Sequence, residues 1–416
     1  MSILSVAILV DLLRNAGAGG HVKYWERLAE ACAKENAPID LTVYFLGDGA
    51  DEVLSPHVRF RFLPPVFSTA RLKFLPYVPA HTDLAPFHPE LAKKLPAYDI
   101  LHTTGGFFSF ARTAERVSRE CGIPLVTSFH TDTLAYAELF THQTLQSLLG
   151  KKIGNAVDAF FKISLRERRS KEKRLKKHLR ACKAVLAMRP EDRALALGEV
   201  SPENIKPMRL GVDKNLFKPH PDARAEIESE CKIAPGKFLA LFVGRVDAGK
   251  NIPLFLQACA QAMEKGANLH LIVVGIGPLS DEVKTVLGDN ATLAGWVSPE
   301  KLARLYAAAD CLSMASDIEI GGLVGVEALA CGCPVLTSRL NGIAALYGPT
   351  PAVKEVESDA VAWAEALTEL SQNEMQQRTM REAALTFRNS KLAAWSDVLK
   401  EDFLPVWQNV ARKEQK

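Results

Sequence analysis

No stretch of this 416-residue chain approaches the ~20 consecutive apolar residues of a membrane-spanning helix, so no helical span is expected. The opening SILSVAILV has no basic leader and no small-residue cleavage site; it is expected to be a first β-strand, not a secretion signal. Internal repeats and low-complexity tracts are lacking. Eight cysteines are scattered, mostly inside apolar stretches, which points to buried free thiols in a reducing compartment. Cys331 and Cys333 have no companion pair elsewhere, so a zinc site is not expected and the two are read as packing residues. The net charge is only +3, but it is unevenly spread.

Short apolar runs alternate with helical patterns. Strands are predicted at 6–10, 41–45, 58–62, 99–102, 124–128 and 185–187, then at 238–243, 269–274, 291–294, 311–313 and 334–337. Many are apolar throughout, as in parallel strands covered on both faces. Helices are predicted between them, among others over 22–34, 252–265, 299–309 and 322–331. The fold class is therefore α/β with parallel sheets, and the strands are too many for one sheet. The proline-flanked IKPMRLGVDKNLFKPH suggests two Rossmann-like domains. The first spans 1–207 with a basic helical insertion over 141–183, and the second spans 208–390. A C-terminal helix, 391–416, is expected to pack on the first domain. Ligands of such folds bind at the carboxyl ends of strands, which places the expected site in a cleft between the domains.

The chemistry concentrates in ASDIEIGGLVGVEALACGCPV. Gly321, Gly322 and Gly325 allow close backbone approach, and Leu323, Val326 and Ala330 have helical spacing. A helix starting near Gly322 offers free N–H groups to an anion. Glu319 before it and Glu327 in its second turn are suited to sugar hydroxyls on either side of a phosphate. The inferred ligand is a nucleotide sugar. LALFVGRVDAGKN adds Gly244, Arg245 and Lys250 after a strand, two cations able to hold a departing diphosphate. LIVVGIGPL adds the glycine turn of Gly275 and Gly277. AGWV would present backbone at Trp296 and Val297 to a base, with the Trp296 ring itself read as core. His102, after AYDIL, is read as a structural histidine.

GRVDAGKN, VVGIGP, LYAAADCLSMAS and the Glu319/Glu327 pair followed by EALACGCPV together resemble the retaining glycosyltransferases of family 4, which have the GT-B fold. MRLGVDKNLFKP is similar to their interdomain motif, AGAGGHVKYWERLAE to their acceptor-side glycine loop, and VTSFHTD to their histidine strand. The resemblance implies that Glu319 holds donor-sugar hydroxyls and Glu327 the ribose diol. It implies Arg245 and Lys250 on the diphosphate, helped by backbone at Gly322 and Leu323. His130 would touch the donor sugar, and Gly19 and Gly20 would lie under the diphosphate. It further implies retention of configuration, proton transfer to the leaving phosphate, no cofactor and no metal; Asp317-Ile318-Glu319 is not the Asp-x-Asp of metal-dependent enzymes. Ala315 stands where proline is common, and Ile320-Gly321 replaces a small-then-aromatic pair, which implies a roomier sugar pocket.

A UDP-sugar is the first-choice donor and GDP-mannose the second, with a non-catalytic nucleotide-sugar binder as the alternative class. The acceptor is expected to be lipid-linked or a glycan. Leu165–Lys183 carries ten Lys/Arg against two Glu. It lacks the interleaved aromatics of a nucleic-acid surface, so nucleic acid is not an expected partner. Beside it Leu145, Leu149, Ile153, Val157 and Phe161 recur at helical spacing. With Arg59, Arg61, Arg71, Lys73 and exposed-looking aromatics in 58–78, this suggests an anionic membrane surface as partner. The expected location is the cytoplasm, peripheral at the inner face of the cell membrane.

Overall fold

The computed structural model of the protein describes residues 3–15, 17–71 and 82–414. The chain divides into two compact units, 1–209 with 395–416, and 210–394.

In the first unit β1 (Leu4–Leu13), β2 (Ile39–Leu46), β3 (Glu52–Ser55), β4 (Val58–Leu63), β5 (Ile100–Thr103), β6 (Leu125–Ser128), β7 (Ala184–Ala187) and β8 (Ile205–Pro207) form one sheet. Its order is β3-β4-β2-β1-β5-β6-β7-β8, parallel except for β3 against β4. Val6–Val10 are fully enclosed because helices cover both faces of a parallel sheet. The helix Gly20–Lys34 returns along it and buries Val22, Trp25, Leu28, Ala29 and Cys32, a stripe at three- and four-residue spacing. Residues Trp395–Lys416 belong to this unit. Asp402 there accepts hydrogen bonds from the Arg209 backbone N–H (2.9 Å) and guanidinium (2.7 Å), and Trp395 meets the Tyr24 ring edge-on at 4.9 Å.

The second unit pairs the short strands β9 (Gly211–Val212) and β16 (Ala393–Ala394) beside a six-stranded sheet. That sheet contains β10 (Phe238–Val243), β11 (Leu269–Val274), β12 (Ala291–Gly295), β13 (Cys311–Met314), β14 (Val335–Ser338) and β15 (Val353–Val356). Its order, β12-β11-β10-β13-β14-β15, is the 3-2-1-4-5-6 arrangement of dinucleotide-binding folds. Alternation along β10 explains the two covered faces. Leu239 and Leu241 join a core with Tyr306, Val326 and Leu329. Phe238, Ala240 and Phe242 join another with Phe255, Leu256 and Trp363.

The predicted strands all form, while β3, β8, β9, β15 and β16 are not among those predicted. Two surface expectations change. Phe60 is buried, since β4 lies inside the sheet, and Arg59 is paired with Asp40 at 2.8 Å, so this strand presents no exposed basic-aromatic face. Lys73, like the rest of 72–78, lies outside the described residues. The apolar series from Leu145 to Phe161 is not one stripe: Gly150 (φ 80°) ends the helix Thr133–Leu149 and starts Lys151–Phe161. Leu149, Ile153 and Phe161 are exposed. Six of the eight cysteines are buried and free, and Cys121 is exposed.

Candidate functional site

The order of the second sheet reverses between β10 and β13, and the loops leaving these neighbouring strands carry most of the predicted site. After β10 the chain turns at Gly244 into Arg245, which is 46% exposed at its side chain and pairs with Asp247 at 3.1 Å. Asp247 also accepts from the Lys250 backbone N–H at 3.0 Å, capping the 3₁₀ turn Ala248–Lys250. Asn251, with φ 56°, begins the helix Ile252–Glu264, and its amide donates to the Ala315 carbonyl at 3.2 Å. One side-chain amide thus ties the first loop to the second.

The loop after β13 is suspended from its neighbours. Asp317 accepts from the Ser338 hydroxyl at 2.6 Å and from Ser358 at 2.7 and 2.8 Å, and the Asn341 amide donates to the Ser316 carbonyl at 2.8 Å. These bonds occupy Asp317 structurally and leave Glu319 to face Lys250. The Lys250 ammonium bonds Glu319 Oε1, and Ser316 Oγ donates to the same oxygen at 2.8 Å. The sequence assigned this lysine and this glutamate to different parts of a ligand; in the structure they are paired with each other.

The helix Leu323–Ala330 starts where Gly322 takes a left-handed φ of 63°. A Cβ at Gly322 would lie 2.6 Å from Ile343 Cδ1 and 2.8 Å from Met314 Cε, both ends of flexible side chains that can move aside, so it is the left-handed backbone that calls for glycine there. The helix carries Glu327, whose Oε2 accepts from the Tyr306 hydroxyl at 3.2 Å. Burial, and then the Glu327 charge, raise the Tyr306 phenol far above its ordinary range, so it remains a donor. Gly275 and Gly277 serve the chain itself: a Cβ would lie 1.9 Å from the Gly244 carbonyl oxygen and 2.2 Å from that of Val246. Trp296 corrects its core reading. It follows the end of β12, beyond the sheet, and is 49% exposed, while Val297 is partly buried.

In the first unit Gly19 and Gly20 are exposed at the start of the helix Gly20–Lys34, and a Cβ at Gly19 would meet nothing within 4 Å. His130 lies two residues beyond β6. Its ring stacks on His21 at 4.8 Å and meets the rings of Tyr24 at 4.7 Å and Trp25 at 5.3 Å. Desolvation, then the neighbouring His21 and His102, hold its pKa well below the ordinary imidazole value.

Residues 18–216 match the family model described as Glycosyltransferase Family 4, and residues 223–387 match Glycosyl transferases group 1. The chain belongs to the family 4 glycosyltransferases. Its fold is that family's GT-B fold. It is 32% identical over 151 residues to the D-inositol 3-phosphate glycosyltransferase of Segniliparus rotundus, covering 34% of this chain and 33% of that protein. It is 28% identical over 268 residues to the Thermobifida fusca enzyme of that name, covering 59% and 55%. The chain thus spans between a third and just over half of the length of these curated relatives. Among solved structures, Anabaena HepE in complex with UDP and glucose superposes with a TM-score of 0.68 at 17% identity, covering 99% of both chains. WaaG, involved in lipopolysaccharide biosynthesis, gives 0.65 at 16%, covering 98% of this chain and 99% of that one.

In this family 4 chain, sequence reading named Glu319, Glu327, Arg245, Lys250 and the glycine turns. It assigned no role to Tyr306, Ser316 or Ser128: Tyr306 reaches Glu327 from another helix, while Ser316 and Ser128 bond Glu319 and His130 only three and two residues away, through loop conformations that residue type alone does not announce. Tyr306 stands inside a motif quoted for the family, yet nothing in its spacing signals a bond to Glu327. Among the described residues no cluster of three or more His, Cys, Asp or Glu could hold a metal ion, and no helix is long and apolar enough to cross a membrane.

Proposed function

We propose that this protein transfers a sugar from a nucleotide-diphosphate sugar, a UDP-sugar in the first instance, to a lipid-linked or glycan acceptor with retention of anomeric configuration. The observation that carries this reading is the meeting of Lys250 with Glu319 at the sheet's reversal point, beside a glycine-started helix that bears Glu327. In the proposed complex the diphosphate takes over Lys250 and draws on Arg245 and the backbone N–H groups at Gly322 and Leu323. Glu319, released from the lysine, accepts from hydroxyls of the sugar, and Glu327, oriented by Tyr306, accepts from the ribose diol. Gly244, Gly275, Gly277, Trp296 and Val297 contribute the nucleotide side; Gly19, Gly20 and His130 contribute from the first unit. As the bond from sugar to diphosphate breaks and the acceptor oxygen bonds the same carbon, the acceptor's proton passes to the leaving diphosphate.

That HepE has been solved with UDP-glucose accords with UDP as donor nucleotide. Incubation with a panel of UDP- and GDP-sugars, reading nucleotide release and thermal shift, tests the proposal. Release of GDP from GDP-mannose alone would replace the UDP choice by a mannosyltransferase. Stabilisation by a donor without release or transfer in the presence of candidate acceptors would favour a non-catalytic binder.

The two carboxylates should separate in mutants. Glu319→Gln is expected to lower turnover about tenfold to a hundredfold with UDP affinity nearly kept, the loss of one charge-assisted hydrogen bond. Glu327→Gln should weaken UDP binding by a similar factor, measured by calorimetry. Equal and small effects from both would contradict the assignment.

The proposed acceptor side is an anionic membrane surface, in keeping with a peripheral location at the inner face of the cell membrane. Its support is the helical excursion 133–181. Phe160 is 80% and Ile153 61% exposed, Leu148, Leu149 and Phe161 are exposed with them, and Lys151, Lys152 and Lys162 are interspersed. Ion pairs of Arg168 with Glu138 and Lys176 with Glu172 reduce the charge of the following helix without cancelling it. At about 1 kcal/mol per basic residue near headgroups, the remainder suffices for reversible docking. The protein should float with anionic liposomes at low salt, and much less at high salt or with neutral lipid. Serine at Arg168, Arg169, Lys173, Arg174, Lys176 and Lys177 should abolish flotation and spare donor binding. A wild-type protein that stays soluble beside anionic vesicles would point to a soluble acceptor.

A further inference from the structure

Behind His130 runs a chain of hydrogen bonds that ends on an indole. The Trp407 Nε1–H, on the helix Leu404–Glu414, lies 2.9 Å from His102 Nδ1 on β5. His102 Nε2 lies 2.8 Å from the Ser128 hydroxyl at the end of β6, and that hydroxyl lies 2.8 Å from His130 Nε2. Trp407, His102 and Ser128 are all essentially closed to solvent.

Donor chemistry gives this chain a direction. An indole nitrogen can only donate, so His102 Nδ1 accepts and bears no proton. A neutral His102 then carries its proton on Nε2 and donates it to Ser128 Oγ. The serine's own hydrogen is left to point at His130 Nε2, which accepts. His130, neutral, therefore keeps its single proton on Nδ1. Burial supports the neutral forms, holding His102 near a pKa of about 3 and His130 far below the ordinary value. His21, Tyr24 and Trp25, packed around the His130 ring, fix its plane.

We infer that Trp407, His102 and Ser128 are positioning residues that lock His130 in the Nδ1–H tautomer, making it a hydrogen-bond donor and not a proton acceptor. The role of that donor toward the sugar rests on the function proposed above; the tautomer does not. A nitrogen that offers a proton suits a hydroxyl oxygen of the donor sugar. It leaves the acceptor's proton to the departing diphosphate.

The test is a long-range proton–nitrogen correlation spectrum of full-length protein with ring-¹⁵N histidine, His130 and His102 being assigned through His130→Gln and His102→Gln. Wild type should show His130 as Nδ1–H and His102 as Nε2–H throughout the neutral pH range. Trp407→Phe keeps an aromatic ring but removes the N–H; it should let His102 populate both tautomers and His130 with it. Ser128→Ala should free His130, and Ser128→Thr, which retains the hydroxyl, should restore the lock. An Nε2–H signal for wild-type His130, or a His130 pattern indifferent to both Trp407→Phe and Ser128→Ala, overturns the inference. Turnover reads the other layer. Losing the correct tautomer should cost about tenfold in kcat with KM for the donor little changed, the size of one hydrogen bond. Tautomers that shift as stated with kcat unaltered would sustain the lock and overturn His130's part in the proposed function.

Discussion

Lys250→Ala is expected to lower turnover by a factor of about 100–1,000, and Arg245→Ala by a similar or smaller factor, the usual cost of removing one donor aimed at developing charge. The two substitutions remove charge where the proposed leaving group gathers it, so kcat should fall more than donor affinity. Lys250→Ala has a second consequence that Arg245→Ala lacks. It deprives Glu319 of its cation and leaves Ser316 as that carboxylate's remaining named partner. A double variant, Lys250→Ala with Glu319→Gln, should therefore lose less than the sum of the single losses, which steady-state kinetics would show as a coupling of the pair. Wild-type turnover should persist undiminished in EDTA, since these cations would stand where other transferases use a metal. Dependence on Mg²⁺ or Mn²⁺, or a Lys250→Ala enzyme within a few-fold of wild type, would contradict the assignment of the diphosphate to this loop.

Gly275→Ala and Gly277→Ala should damage the fold before they damage catalysis. The added methyl would sit 1.9 Å from the Gly244 carbonyl oxygen in the first case and 2.2 Å from that of Val246 in the second. Both obstacles are backbone, and the surrounding loops are bonded to each other, with Gly244 N–H to Val274 (2.9 Å) and Val246 N–H to Ile276 (3.1 Å), so neither side can yield cheaply. Gly275 adds a φ of 127°, which a side chain rarely adopts. Overpacking of this kind costs about 3 kcal/mol or more. At about 2–4 °C per kcal/mol for a unit of this size, the midpoint of thermal unfolding should fall by about 6–12 °C. Gly19→Ala is the control. Nothing lies within 4 Å of the added carbon, so the midpoint should hold and only the response to donor should change. Unchanged midpoints for Gly275→Ala and Gly277→Ala would show that the loops spread at little cost.

Alternation of apolar runs with helical periods was enough, in the sequence, to specify parallel sheets in two units, because a strand covered on both faces has to be apolar along its whole length. Glycine pairs beside carboxylates and cations marked the loops at the strand ends, since residue type declares what a loop can bind. The partners of those residues were decided only by tertiary structure. Glu319 meets Lys250 because β10 (Phe238–Val243) and β13 (Cys311–Met314), separated in the chain by β11 and β12, become neighbours at the sheet's reversal. Tyr306 reaches Glu327, and Trp407 reaches His102, by the same kind of long closure. Exposure was likewise beyond the sequence: Trp296 and Phe160 are as apolar as buried residues, and only the end of a strand and the break at Gly150 turn them toward solvent. A side chain's chemistry is local and can be read in order along the chain. Its partner and its burial depend on contacts between distant segments, which one-dimensional spacing does not encode.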